Sequence, residues 1–383
     1  MKDCLRMSED LFAGALRLLL GDSSEDQSLA DPEDLPPQDT GMMTDVPDRI
    51  FLTFGEPVIS YEQVGDSFDD TDIMVRRRLV CGELELAGAL AVLGNFCEYF
   101  TVIPAGYYGD LVRTVAAQSG VHLWSLQGEP GSHLGDMTSM NGRKVNQRLL
   151  SAFHCVSAPF KWDSGIVSDR VPCWVHTCMS SFVWSDNALN GWKDLMSAAA
   201  NPKRGSRGDV LISLELRTRD CQVVISELWD FLKERMRLFF LIVMTPEEAL
   251  EIASIIGLST GTGLGRTAMD LEGYEPAWNM FSNQLRAKLG CFCLIITFCS
   301  DDASSRIVVS LAGPESSALT SPRVVVSPMA LVGKVVHKLM HTPPSASLDL
   351  QSVMDSLIGV PSARVELKGS HSYLGTIPEN DTS

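Results

Sequence analysis

The chain has 383 residues, 45% of them hydrophobic and 21% charged, enough apolar material for one large α/β domain or two modest ones. A formal charge of −17 excludes a general nucleic-acid surface, because neutralising phosphates takes clustered Lys and Arg, and leaves any anionic ligand to a few local arginines. No apolar run is long enough for a bilayer span, Met1–Asp22 lacks the pattern of a secretory signal, and the 10 cysteines form no paired CxxC zinc pattern, so the expectation is a cytosolic protein with buried thiols and no membrane partner.

Along the chain, a short amphipathic segment, Met7–Leu20, precedes Ser23–Asp48, whose acidic, proline-bearing composition offers almost nothing to bury and predicts a disordered linker. From Ile50 onward apolar strand-like runs alternate with helical segments. "IFLTF" is followed by the small-residue helix of Glu83–Asn95, then "YFTVIPA" and the helix "GDLVRTVAAQSG". Further on come "DNALNGWKDLMSAAA", "DVLISLEL", "VVISELWDFLKERM", "LFFLIVM", "PEEALEIASIIG", "AWNMFSNQLRAKLG" and "CFCLIITF". Strands spaced by helices of this length predict βαβ units and a mostly parallel sheet covered by helices. The division expected is an arm and linker over 1–48, one domain over 49–358 and a tail over 359–383.

The stretch "LSTGTGLGR", Leu258–Arg266, has the glycines of a phosphate loop. A phosphate cradle leaves a strand and opens a helix, so that backbone N–H groups converge on the anion. Here Thr245, Pro246 and Glu248 mark a capped helix start, which makes Thr245–Ile256 a helix closed by Gly257. The glycine stretch therefore leaves a helix, and the expectation is a connector.

Several segments, in order, resemble the ribokinase-like (PfkB) carbohydrate kinases, most closely their 2-keto-3-deoxygluconate kinase branch. "FLTFGEPVIS" resembles the opening strand with its Gly-Glu, here Gly55 and Glu56, and "CGELELAGALAVLGN" the first helix. "VIPAGYYGDLVRTVAAQSGV" is similar to the next strand and helix, and "KVNQRLLSAF" followed by "FKWD" to a substrate-binding segment. "DVLISLELRTR" resembles a strand ending Asp-x-Asn-x-Arg. The resemblance implies a three-layer α/β fold, with a mostly parallel central sheet, helices on both faces and a small β lid. It also implies ATP and Mg²⁺ as cofactors, and a sugar or sugar acid such as 2-keto-3-deoxygluconate as substrate. Arg148 and Arg219 match the arginines that would hold the carboxylate end in fixed forks, and Gly82 and Glu85 fall at the sugar-facing start of the first helix.

The departures bear on function too. Val80 and Cys81, or Gly82 alone, stand where the family pairs glycines, Glu85 replaces an Asn, Asn146 a Tyr, Glu215 an Asp and Arg217 an Asn. A carboxylate in place of an amide puts negative charge where an anionic substrate would lie. Beyond Phe298 there is no DTTGAGD-like or GGGD-like segment to supply the catalytic aspartate and the glycine-rich anion hole. Its nearest equivalent is "SLDLQSVMDSL", where Asp355 is the candidate base and Asp349 lies upstream. A reading frame altered after about Phe298 would have the same appearance. His337-x3-His341 has zinc-like spacing but lacks a third ligand, so no metal site is expected. Two functions remain: an ATP-dependent carbohydrate kinase, or a catalytically inactive pseudokinase of the same fold that binds ligand or acts as a scaffold. Limited proteolysis should remove residues 1–48 and leave a folded core; a protected arm would contradict the domain division.

Overall fold

The computed structural model describes residues 49–64, 74–140, 143–145, 151–155, 174–182, 186–200, 210–217, 225–259, 264, 271–299, 304–313, 317–342 and 349–357. The arm and linker over 1–48 and the tail over 359–383 lie outside them. Strand β1 (Ile50–Phe54) is buried at every position, as an apolar run is when it sits inside a parallel sheet covered on both faces. It pairs in parallel with β4 (Phe96–Ile103) on one side and β8 (Trp174–Cys178) on the other. β5 (His122–Gln127) continues the sheet past β4, while β9 (Leu211–Glu215), β10 (Leu241–Met244) and β11 (Cys293–Cys299) continue it past β8, all in parallel. The antiparallel strands β12 (Ser305–Leu311) and β13 (Ser317–Thr320) finish one edge. Among the described residues the nine strands thus run β13-β12-β11-β10-β9-β8-β1-β4-β5.

Alternation along each strand sorts side chains onto the two faces. Leu52, Phe54, Ile242, Met244, Leu294 and Ile296 join one apolar core. It is closed by α4 (Asp186–Ala200), α5 (Ile225–Lys233), α6 (Pro246–Ile255) and α7 (Glu275–Leu289), through residues such as Trp192, Leu232, Ile252 and Trp278. Phe51, Leu241, Val243, Cys293 and Ile295 face the other way. There α1 (Gly82–Val92), α2 (Tyr107–Gln118), α8 (Pro328–His341) and α9 (Leu350–Asp355) cover them with Leu86, Val112, Val332 and Val353. The expected three-layer arrangement is therefore present. A short helix, α3 (Ala152–Cys155), contributes Ala152 and Phe153 to the first core. No described helix is long and apolar enough to cross a membrane.

A second, four-stranded sheet in the order β3-β2-β6-β7 forms the small β layer expected as a lid. β2 (Val58–Val64) continues from β1 through Gly55–Pro57 and pairs antiparallel with β3 (Met74–Val80), which leads into α1. β6 (Gly135–Met140) lies parallel on its other side, with β7 (Arg143–Val145) antiparallel beyond. The chain thus leaves β1, builds half of this sheet and returns directly to the first turn of α1.

On the second face, Gly333 of α8 meets Ala89 of α1 so closely that an added Cβ would lie 3.0 Å from the alanine Cβ. The contact is extended by a polar chain. Arg49 donates to the Met340 carbonyl and lies 3.5 Å from His341 Nδ1. His341 Nε2 meets Asn95 Oδ1 at 3.0 Å, and Asn95 Nδ2 lies 2.9 Å from both the Leu90 carbonyl and His337 Nδ1. Burial lowers the pKa of both imidazoles, helped at His337 by His341 and Lys338 and at His341 by Arg49. The two histidines face an amide, and among the described residues no group of three or more His, Cys, Asp or Glu is placed to hold a metal ion.

The start of α6 has both halves of its capping box: Thr245 Oγ1 accepts from Glu248 N–H at 3.4 Å, and Glu248 Oε2 accepts from Thr245 N–H at 2.8 Å. Gly257 follows in the left-handed region, φ 67°, so the glycine stretch does leave a helix, as its flanks indicated. The rest of that stretch, apart from Leu258, Ser259 and Leu264, lies outside the described residues. Replacing Thr245 with Ala should cost about 1 kcal/mol of stability, measurable as a lower denaturation midpoint with an unchanged m-value.

Candidate functional site at the strand-order reversal

From β1 the chain builds outward to β4 and β5, then returns to lay β8 on the opposite side of β1. Such a reversal leaves a crevice beyond the carboxyl ends of the two diverging strands, the general ligand position of open α/β sheets. Four segments converge on it: Gly55–Glu56 after β1, the turn Met179–Ser181 after β8, Glu215–Arg217 at the end of β9, and the first turn of α1. Polar side chains from all four meet there.

Glu83, in the first turn of α1, is 2% exposed. Its Oε1 accepts from Ser181 Oγ at 2.5 Å and from Cys178 N–H at 3.3 Å, and its Oε2 lies 3.5 Å from Cys81 Sγ. Ser181 Oγ in turn accepts from Glu56 N–H at 3.1 Å, so one hydroxyl ties β1, β8 and α1 together. An added Cβ at Gly55 would run into the Glu83 carboxylate, so glycine is needed there for the close approach. Burial pushes the Glu83 carboxyl up to about 7, against the opposing effects of its Ser181 hydrogen bond and of Arg217. Tyr99 accepts from Cys81 Sγ at 3.1 Å and donates to the Gly55 carbonyl at 3.0 Å; burial keeps the phenol and the thiol protonated by raising both pKa values. Beside this group, Glu56 Oε1 accepts from Ser151 Oγ at 2.5 Å.

The mouth of the crevice is an ion-pair cluster. Arg217 Nε lies 2.6 Å from Glu215 Oε1 and Arg217 Nη2 lies 3.9 Å from Glu85 Oε2. Arg217 has φ 47°, a left-handed conformation uncommon outside glycine. Its guanidinium rests over Gly82, where an added Cβ would lie 2.7 Å from Cζ and 3.0 Å from Glu215 Oε2. Beneath it, His176 is fully buried with Nε2 4.0 Å from Glu215 Oε2. Its Nδ1 is 2.8 Å from Ser213 Oγ, which also accepts from Trp174 Nε1 at 2.7 Å. Burial, and secondarily Arg217, lowers the imidazole pKa to about 3, so His176 is a neutral spacer under the cluster.

Of the residues singled out from sequence, Gly82 and Glu85 come together at this crevice. Arg148 and Arg219 lie outside the described residues. Asp355 is the last residue of α9, exposed, with its carboxylate accepting from Gln351 Nε2 at 2.8 Å. At the opposite end of that helix, about 9 Å away along its axis, the Asp349 carboxylate accepts from the N–H groups of Gln351 and Ser352 at 3.1 and 3.3 Å. In the segment nearest to the family's anion hole, the first-turn N–H groups therefore already hold a carboxylate, which does not fit a phosphoryl group. Negative charge at Glu85 and Glu215 was legible as a departure from the family pattern; its compensation by Arg217 was not. Nor was Glu83 singled out, although an acid two residues after the strand–helix junction, inside an apolar run, is a signal that could have been used.

The raised Glu83 pKa has a defined effect on stability. A carboxyl whose folded pKa lies above its unfolded value adds no penalty below about pH 4.5, and the folded state loses stability as pH rises through about 7. Glu83→Gln keeps an acceptor for Ser181 and Cys178 without the buried charge. The variant should melt higher than the parent at pH 8, with the difference shrinking toward pH 5. An equal difference at both pH values would contradict the raised pKa.

No protein-family model and no curated protein sequence matches the chain. Solved structures do. The chain is similar to the 2-dehydro-3-deoxygluconokinase of Thermotoga maritima, with 17% identity over 80% of this chain and 89% of that one at a TM-score of 0.59. It is similar to the fructokinase of Xylella fastidiosa, with 15% identity over 81% and 90% at 0.57. The ribokinase of Cryptococcus neoformans var. grubii, solved in complex with ADP, matches at 13% identity over 80% and 90%, with a TM-score of 0.56. The layer order, the small second sheet and the near-full coverage of each neighbour lead to one structural identity: this chain has the ribokinase-like fold of the PfkB carbohydrate kinases.

Proposed function

We propose that the chain binds a small sugar in the crevice between the ends of β1 and β8, as a protein of the carbohydrate kinase type. The observation that carries this reading is the convergence of Gly55, Gly82, Ser181, Glu83, Glu85, Glu215 and Arg217 at the strand-order reversal, in a fold shared with sugar kinases. Fixed acceptors and one guanidinium fork suit a ligand rich in hydroxyls. ATP with Mg²⁺ is the phosphoryl donor this reading implies, and the ADP-bound ribokinase neighbour supports a nucleotide partner. In the sugar-acid version of the reading, with 2-keto-3-deoxygluconate as substrate, Arg148 and Arg219 hold the carboxylate and Asp355 accepts the hydroxyl proton.

The second reading, a pseudokinase that keeps the sugar site and has lost the transfer, is favoured by the first turn of α9. Asp349 holds its N–H groups, and no glycine in "SLDLQSV" allows close approach. Losing one oxyanion-type donor costs roughly 10²–10³ in turnover, so phosphoryl transfer should be far below the ordinary kinase range of roughly 1–100 s⁻¹. The test is ADP release with Mg-ATP and either 2-keto-3-deoxygluconate or fructose, with Asp355→Asn alongside. The expected outcome is weak or absent turnover that the substitution leaves unchanged. Turnover near or above about 1 s⁻¹ that collapses in the Asn variant would overturn the pseudokinase reading and make Asp355 the base.

A further inference from the structure

We propose that the crevice takes an uncharged polyol and excludes sugar acids, with Glu85 as the residue that sets this choice. The inference rests on the sugar-binding reading above and names the substrate class of that same site. Its first support is the way the charges at the mouth are already spent on one another. Arg217 Nε lies 2.6 Å from Glu215 Oε1, and Arg217 Nη2 lies 3.9 Å from Glu85 Oε2. A ligand carboxylate arriving at this guanidinium has to compete with Glu215, whose side chain is 6% exposed and cannot turn out into water. A ligand ammonium meets the guanidinium itself. An uncharged ligand meets neither conflict.

The second support is the start of α1. A helix N-terminus favours one negative charge in front of its first-turn N–H groups. Here Glu215 Oε2 stands at that end, 3.0 Å from where a Gly82 Cβ would be, and Glu83 and Glu85 lie in the first turn itself. A further anion there would face three carboxylates. The hydroxyls of a polyol instead present donors, and a carboxylate accepts only. Glu85, whose side chain is 33% exposed, is the acceptor turned furthest toward solvent, with Arg217 at 20% beside it. Glu85 is therefore placed to accept from ligand hydroxyls and to repel a ligand carboxylate, which makes it specificity-determining. Glu83 and His176 lie underneath, fully covered, and set the floor of the site.

The experiment is calorimetric titration of the full chain at pH 7.5 with D-fructose and D-ribose as uncharged probes, and with D-gluconate and 2-keto-3-deoxygluconate as acids. A like charge near 4 Å in a partly solvated site should separate the two classes by about tenfold or more in Kd. Glu85→Gln should weaken the uncharged sugars, strengthen the acids and close most of that gap, with a melting curve confirming that the variant is folded. A gap unchanged in Glu85→Gln overturns the assignment to Glu85. Tighter binding of an acid by the parent chain, lost in Arg148→Ala or Arg219→Ala, overturns the proposal while leaving the sugar-binding reading intact. Absence of binding by all four sugars, when Mg-ATP still binds, sinks that underlying reading.

Discussion

Because the central sheet is covered on both faces, its strands spend their backbone hydrogen bonds on one another and their side chains on two apolar cores. Polar groups that must reach a ligand gather where the strands stop. The return of the chain to the far side of β1 then decides which strand ends matter, since it parts β4 from β8. Everything at the site hangs on that: Ser181 can bridge three segments only because β8 lies directly beside β1, in a register that sets Phe54 against Thr177. The small sheet serves the same arrangement, for its strand β3 delivers the chain to Gly82 at the mouth of the crevice.

Within the crevice the chemistry divides by depth. Deep groups are neutral or easily made so: His176 by its low pKa, Cys81 and Tyr99 by their raised ones, and Glu83 by titrating near neutrality. The charged side chains pair with one another: Arg217 and Glu85 are partly exposed, and Glu215, buried, lies against Arg217. Desolvation penalises the charged form of a buried group that lacks a charged partner, and Glu215 differs from the others in having Arg217 at 2.6 Å. Arg217 links the two sets, lying against Glu215 and Glu85 while lowering the Glu83 pKa. Its φ of 47° is consistent with a side chain turned back over Gly82.

Where local chemistry decides structure, the sequence was legible. Thr245, Pro246, Glu248 and Gly257 announced α6 and its end, and the apolar run at Ile50 announced a fully buried strand. Asp186–Ala200 is a helix with the bounds its pattern indicated. The late hairpin β12–β13 and helix α8 were passed over, although "SRIVVSL" is a β-branched run and Ser327-Pro328 a helix-start signal. The absence of a glycine motif beyond Phe298 says nothing of local structure there. The site was half legible. Gly82 and Glu85 were in view because they fall at a strand–helix junction. The Arg217 compensation was hidden, because it depends on a left-handed turn and on strands brought together across the sheet, neither of which has a local pattern. The identity of the fold, by contrast, lay in the order of many weak segments, and at 17% identity or less the solved structures share that order more than they share residues.

The contact of Arg49 with Met340 and His341 joins the place where the described core begins to the last turn of α8. Through Asn95 the same chain of hydrogen bonds reaches the end of α1. In terms of connectivity, this corner clamps the start of β1 to the end of α8, after which the chain continues into α9 on the same helical face. Loss of the Arg49 side chain would therefore loosen the edge of β1 and the last turn of α8 together, although 291 positions of sequence separate Arg49 from Met340.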